Sequence, residues 1–366
     1  MAGELAVPDA RRPWQAVIRY LLGAAVGVLV VLLLLPKRSG LVAAWHQLGT
    51  ADLRWVAAAI GAEGLSLLTF AWLQQRVLRL SGAIMALPGL FALSLANEAI
   101  ANSVPGEPVV SSAYRYRYYR RCGASGASAG WTIFTILIAQ AIGMSLLLLL
   151  GVVVALAGST SATGAGVTIV GLLIVAGAGA ILIRRDVVLR LAGALMRLVR
   201  KVTGYPRGNI GARIDTTLAR MREIPLSRRS TAGIVAIATA VWCSDFLCLL
   251  CGFRAVHTAI PWHGVLLAYG VAQVAGSFPV VPGGLGIVEG SLAVVLAAYG
   301  AGRVGAVSAA LAFRLVNFWL ALAVGWVSVA LIAQHMRCRM PARAADGAGR
   351  PSGVSPAGPA SAQSGE

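Results

Sequence analysis

Apolar residues run through this chain in long unbroken stretches, with the polar residues gathered between them. The runs at residues 20–35, 55–72, 129–156, 164–183, 231–253 and 306–333 are of the length that crosses a bilayer as a helix. Two more, 84–104 and 263–299, are as apolar but carry Pro and Gly inside them. The pattern predicts an all-α polytopic membrane protein with about six transmembrane helices plus two re-entrant hairpins.

The second interrupted run holds the segment Pro279-Val280-Val281-Pro282-Gly283-Gly284-Leu285-Gly286-Ile287-Val288-Glu289. Proline removes a backbone donor and glycine weakens a helix, so the backbone is expected to break here. At membrane depth a break is tolerated only where protein or a water-filled cavity satisfies its polar groups. A binding site is the first expectation for this segment.

Basic residues orient the runs. Residues 184–229 hold twelve Arg/Lys against three acids and are expected in the cytoplasm. Counting back, the uncharged 158–164 falls outside and Tyr114-Arg115-Tyr116-Arg117-Tyr118-Tyr119-Arg120-Arg121 inside. Residues 75–81, with Arg76 and Arg79, also read as cytoplasmic, so 84–104 is expected to enter and leave on one side. In the second half, 254–262 and 300–305 both fit outside, with 263–299 dipping between them. Each of its arms is about 15 residues, or roughly 23 Å, short of a hydrocarbon core of about 30 Å. The scheme puts 25 Lys/Arg in the cytoplasm and five outside, with Arg314 inside a span. It also makes residues 1–15 and the tail 336–366 cytoplasmic.

An offset of 177 residues lays the second half on the first. Pro105-Gly106 falls on Pro282-Gly283, Gly123 on Gly300, and two long apolar runs on two others without a gap. The repeat halves are about 52–156 and 229–333. One span at 164–183 separates them, so their orientations come out opposite, a plan that recurs in secondary transporters.

Composition agrees and excludes some partners. Mean hydropathy is +0.79 and 12% of residues are charged, about half the share in a soluble domain. The net charge of +18 is the positive-inside bias, not a nucleic-acid surface, since no helix-turn-helix, zinc or basic-zipper pattern accompanies it. Run 20–35 follows Arg11, Arg12 and Arg19 and precedes Pro36-Lys37-Arg38, which suits an uncleaved anchor better than a signal peptide. Cys248 and Cys251 form a CxxC without a second pair or a His cluster, so no metal or cofactor is expected. Residues 184–202 have apolar positions at helical spacing between arginines and read as an amphipathic helix on anionic lipid. Residues 341–366 are rich in Ala, Gly, Pro and Ser and read as disordered.

An ionised side chain at bilayer depth costs at least about 2.5–3.5 kcal/mol. Glu63, Glu98, Glu107, Asp245, Glu289 and Arg314 are therefore candidates for function, joined by Asn97, Asn102 and Gln273. Glu98 and Asn102 share a helical face with Ser94 that leads into Pro105 and Gly106. Pro282, Gly283, Gly284 and Gly286 break the helix, let backbone approach a ligand, and leave free N–H groups on the helix that follows. The alternative is that the charges pair only with one another, Glu289 with Arg314 for instance, and lock the hairpins. Glu63 and Asp245 have no motif around them, and Glu107 suits the cytoplasmic interface. The Tyr/Arg segment reads as an interfacial anchor, or as a place where Arg115 and Arg117 gather headgroups.

Pro282-Gly283-Gly284-Leu285-Gly286-Ile287-Val288-Glu289, followed by Phe313-Arg314-Leu315, resembles the lysylphosphatidylglycerol synthase transmembrane region, also called the flippase-like domain family. Asn102-Ser103-Val104-Pro105-Gly106 and the arginines after it look like that family's first-half motif, although Gly106-Glu107 stands where the family has Gly-Gly. The likeness runs from about Tyr20 to Ala333. It implies a bacterial plasma-membrane protein, with both termini cytoplasmic, that moves a phospholipid or glycolipid headgroup between leaflets. Aminoacylating relatives carry a soluble domain after the membrane region, which is not expected here. Two alternatives stay open. A lipid-modifying enzyme would need a nucleophile–base pair or a carboxylate cluster, and no His lies beside an acid. A non-transporting partner of an envelope enzyme would need neither.

Overall fold

The computed structural model describes residues 49–103, 107–158, 162–183, 227–277 and 282–338. The expected first span, the basic loop with its amphipathic helix, the disordered tail, Pro105 and Gly106 lie outside the described residues. Contacts divide the chain into two units, Met1–Val329 and Ala330–Glu366, and the site lies wholly in the first.

The described residues are helical with no strand. In chain order they form α1 (Leu53–Leu80), α2 (Leu87–Ser103), α3 (Glu107–Arg121), α4 (Gly126–Gly158), α5 (Ala162–Ile183), α6 (Arg228–Ala255), α7 (Val265–Gly276), a 3₁₀ turn (Pro282–Gly284), α8 (Ile287–Ala298), α9 (Arg303–Arg314), a π-helical turn (Leu315–Leu320) and α10 (Ala321–Cys338). Four segments are long and apolar enough to cross a membrane: Leu53–Leu80, Gly126–Gly158, Arg228–Ala255 and Arg303–Gln334. Their outward faces are apolar. Leu146, Leu149, Leu150, Val153 and Leu156 of α4 are all exposed, as lipid contact requires.

Caps fix where two of the long helices start. Asp52 accepts from the Arg54 N–H at 2.9 Å, and Ser227 accepts from the Ser230 N–H at 3.1 Å, each meeting a donor that the first turn leaves unpaired. These two helices, α1 and α6, are repeat-related and make the most extensive contact among the described residues. They run antiparallel. The Asp52 N–H bonds the Ala255 carbonyl at 2.9 Å and Ser66 Oγ donates to the Val241 carbonyl at 3.2 Å, so one helix ascends as the other descends. That is the relation an inverted repeat demands. The pairs α2–α3 and α7–α8 then correspond as hairpins, and α4 corresponds to α9, the π turn and α10.

Without a hydrophobic drive between helices in lipid, small residues set the close approaches. A side chain on Gly143 would lie 3.0 Å from the Ala238 backbone, and one on Gly151 2.8 Å from the Leu267 backbone. Both positions clamp α4 onto the second half.

The first hairpin differs from expectation. Residues 84–104 do not turn back on themselves. Leu87–Ser103 form one helix, α2, and the next helix, α3 (Glu107–Arg121), packs against it. Pro88 and Gly89 lie in the first turn of α2, where a missing N–H costs nothing, so they start a helix and do not break one. The Tyr/Arg segment is corrected with it. Tyr119 is fully buried and donates to Gln74 Oε1 at 2.6 Å, and Tyr118 donates to the Gly89 carbonyl at 3.3 Å. It is a packed hairpin arm, not a surface belt.

Candidate functional site

The C-terminal end of α2 packs on the 3₁₀ turn of the second hairpin, and a side chain on Gly283 would lie 3.2 Å from Asn102 Oδ1. Gly283 (φ 60°), Gly284 (φ 61°) and Gly286 (φ 80°) adopt left-handed backbone, which L side chains avoid. Gly284 also lies against the backbone of Gly276, so the chain before and after the break can touch.

Beside this junction is a cavity of about 310 Å³. Its wall carries Glu98 and Asn102 of α2, Arg115 of α3, Gly283 of the break and Arg314 of α9. Those five sequence candidates are brought together. Glu289 is not among the lining residues; it bonds Arg314 from one side. Gly284 and Gly286 shape the break. Pro282 opens the 3₁₀ turn. Arg117 is exposed and is not among the residues lining the cavity. Ser94 does not join Glu98 and Asn102 on the wall, because it accepts from Gln74 Nε2 at 2.7 Å.

Arg314 and Glu289 form a closed unit. Arg314 Nε donates to Glu289 Oε1 at 2.6 Å and its Nη2 to the Gly283 carbonyl at 2.7 Å. The other Glu289 oxygen accepts from the Gly286 N–H at 2.6 Å, so the carboxylate caps α8 where the helix leaves N–H groups unpaired. The Phe318 ring covers the guanidinium at 4.3 Å from its centroid.

Opposite the break lies a carboxylate cluster with no sequence motif around it. Asp245 of α6 and Glu63 of α1 are both buried. Asn317 Nδ2 donates to Asp245 Oδ1 at 2.7 Å and reaches Glu63 Oε2 at 3.3 Å. Asp245 Oδ2 accepts from Tyr269 OH at 2.5 Å and from Gln273 Nε2 at 2.8 Å. Asn317 stands in the π-helical turn three residues after Arg314, so one helix face serves both groups. Extra-residue turns of this kind concentrate at functional sites.

Sequence reasoning missed Asn317, Gln140, Phe70 and Trp242, which also line the cavity. Asn317 had a legible signal, being an amide in an apolar span on the face of Arg314. Phe70 and Trp242 had none, since aromatic residues at helical spacing are ordinary core. Among the described residues no group of His, Cys, Asp and Glu is arranged to hold a metal ion.

The family model described as Lysylphosphatidylglycerol synthase TM region matches residues 20–325, most of the chain. Among curated proteins none matches it.

Proposed function

The chain belongs to the lysylphosphatidylglycerol synthase TM region family, and from that premise we propose that it moves a lipid or lipid-linked headgroup across the bacterial plasma membrane. It is a membrane-embedded protein of a lipid-related family. The observation that carries the transport reading is the polar cavity, which holds three carboxylates and two arginines among helices whose outer faces are lipid-compatible. Such groups are costly at membrane depth unless they serve a pathway or a site.

In this reading the headgroup enters the cavity while the acyl chains stay in lipid. The broken hairpin supplies its glycine backbone and the latch of Arg314 on Glu289 holds the break in register. Glu63, Asp245 and Glu98 supply acceptors. The sequence has no Walker motif, so movement follows a gradient of lipid or of protons. Transport is favoured over nucleophilic chemistry because the two hydroxyls on the cavity wall, Ser66 and Ser277, each donate to a backbone carbonyl, of Val241 at 3.2 Å and of Val274 at 2.7 Å.

The test is reconstitution of the purified chain into liposomes with headgroup-labelled phospholipids and glycolipids. Loss of label accessibility in one leaflet, faster than in empty vesicles, is the expected result. Vesicles that behave as empty ones for every lipid class would end the reading.

A further inference from the structure

Three polar groups on the cavity wall have no partner. Arg115 is 5% exposed and Asn97 5% exposed. Arg115 Nε, Asn97 Oδ1 and Gln140 Oε1 are all buried without a hydrogen bond. The three come from three different helices, α3, α2 and α4, and all line the same cavity. Among the described residues Arg115 makes no ion pair; its guanidinium rests 5.8 Å from the centroid of the Phe70 ring.

Unpaired buried polar atoms are costly, and these three open on one cavity, where a polar ligand would satisfy them. Arg314, the other cation on the wall, is already spent on Glu289 and the Gly283 carbonyl. The two arginines therefore divide the work. One holds the break and the other faces the ligand.

We infer that Arg115, Asn97 and Gln140 form a subsite for a headgroup that carries a phosphoryl group next to hydrogen-bond donors. Arg115 takes the phosphoryl oxygens, for which a guanidinium fork is suited. The two amide oxygens take hydroxyl or amine hydrogens from the same headgroup. The inference rests on the transport reading only for what the headgroup is attached to.

Native mass spectrometry of the intact chain, purified in maltoside, separates these requirements. Four probes are titrated: a phosphatidylglycerol with phosphate and hydroxyls, a phosphatidylcholine with phosphate alone, a diacyl glucoside with hydroxyls alone, and inorganic phosphate. The expected order of retention is phosphatidylglycerol, then phosphatidylcholine, then glucoside, with inorganic phosphate unable to displace the first. Equal retention of glucoside overturns the phosphoryl contact, and equal retention of phosphatidylcholine overturns the donor contacts. Displacement by millimolar inorganic phosphate overturns the lipid as occupant.

Arg115→Gln should weaken phosphatidylglycerol binding by about tenfold or more, the order of a lost charged hydrogen bond. If that variant does not fold, Arg115→Lys, which keeps the charge and loses the fork, is read by the ratio of phosphatidylglycerol to glucoside retained. A folded variant with the wild-type ratio sinks the subsite. Flipping is scored separately in vesicles. The binding pattern without movement leaves the subsite standing and ends the transport reading, and movement without the pattern does the reverse.

Discussion

Arg314 reaches Glu289 at 2.6 Å and the Gly283 carbonyl at 2.7 Å, spanning the gap in the second hairpin with one side chain. The carbonyl it takes belongs to backbone that has left the helical ladder, and the carboxylate it takes caps the helix that restarts. A single cation thus ties the 3₁₀ turn to the helix that restarts.

That arrangement makes Glu289→Gln a stability variant first. It leaves Arg314, 7% exposed, without its counter-charge, and breaking a buried pair costs about 3–5 kcal/mol. Glu289 is 20% exposed, which places the expected loss toward the lower end. Thermal unfolding in detergent should show a clear drop, and Glu289→Gln with Arg314→Gln should recover part of it. An unchanged melting temperature in the single variant would refute the latch.

Two glycines in the same hairpin should respond in opposite ways to alanine. Gly283 has φ 60°, and a Cβ there would run into the Phe318 ring. The left-handed backbone alone costs about 1–2 kcal/mol, and the ring must move as well. Gly290 lies within α8 with nothing within 4 Å, so Gly290→Ala should be neutral or gain up to about 1 kcal/mol. Denaturant titration of both variants checks the contrast. Similar behaviour would mean the break is not held as described.

The antiparallel repeat was legible because it is written in spacing: apolar runs, breaks and basic loops recur at one offset, whatever the residue identities. The second break was legible for a similar reason, since Pro and Gly in an apolar run have few explanations. The first hairpin was drawn within too short a stretch because Pro88 and Gly89 look the same in sequence whether they end a helix or begin one. Glu63 and Asp245 could be named as costly but not joined, because their contact depends on where α1 and α6 cross. A hint was available. Repeat-related positions meet at the axis of an inverted repeat, and both acids lie near the crossing marked by Ser66 and Val241.

Asn317 should be more costly to remove than a lone amide in a helix. It is the donor shared by Asp245 and Glu63. Asn317→Ala leaves a buried carboxylate oxygen short of a partner, which costs about 1–3 kcal/mol. Asn317→Asp adds a third acid to the cluster and should be worse. Thermal unfolding of the pair should rank wild type above Ala above Asp. An Asp variant as stable as wild type would show that the cluster is open to water or a cation.

The last expectation concerns sidedness. Ser81 at the end of α1 bonds Ser128 near the start of α4, so the loops before and after the first hairpin lie at one end of the bundle. Arg76, Arg79, Arg120 and Arg121 crowd that end, which the positive-inside rule assigns to the cytoplasm. Cys122 sits there, exposed. An impermeant thiol reagent added to intact cells should leave Cys122 unmodified and should modify it in inverted vesicles. In a cysteine-free background, Thr160→Cys should be labelled from outside and Arg207→Cys from inside. Outside labelling at both Cys122 and residue 160 would be incompatible with α4 crossing the bilayer once, and it would remove the inverted repeat as the basis of the cavity.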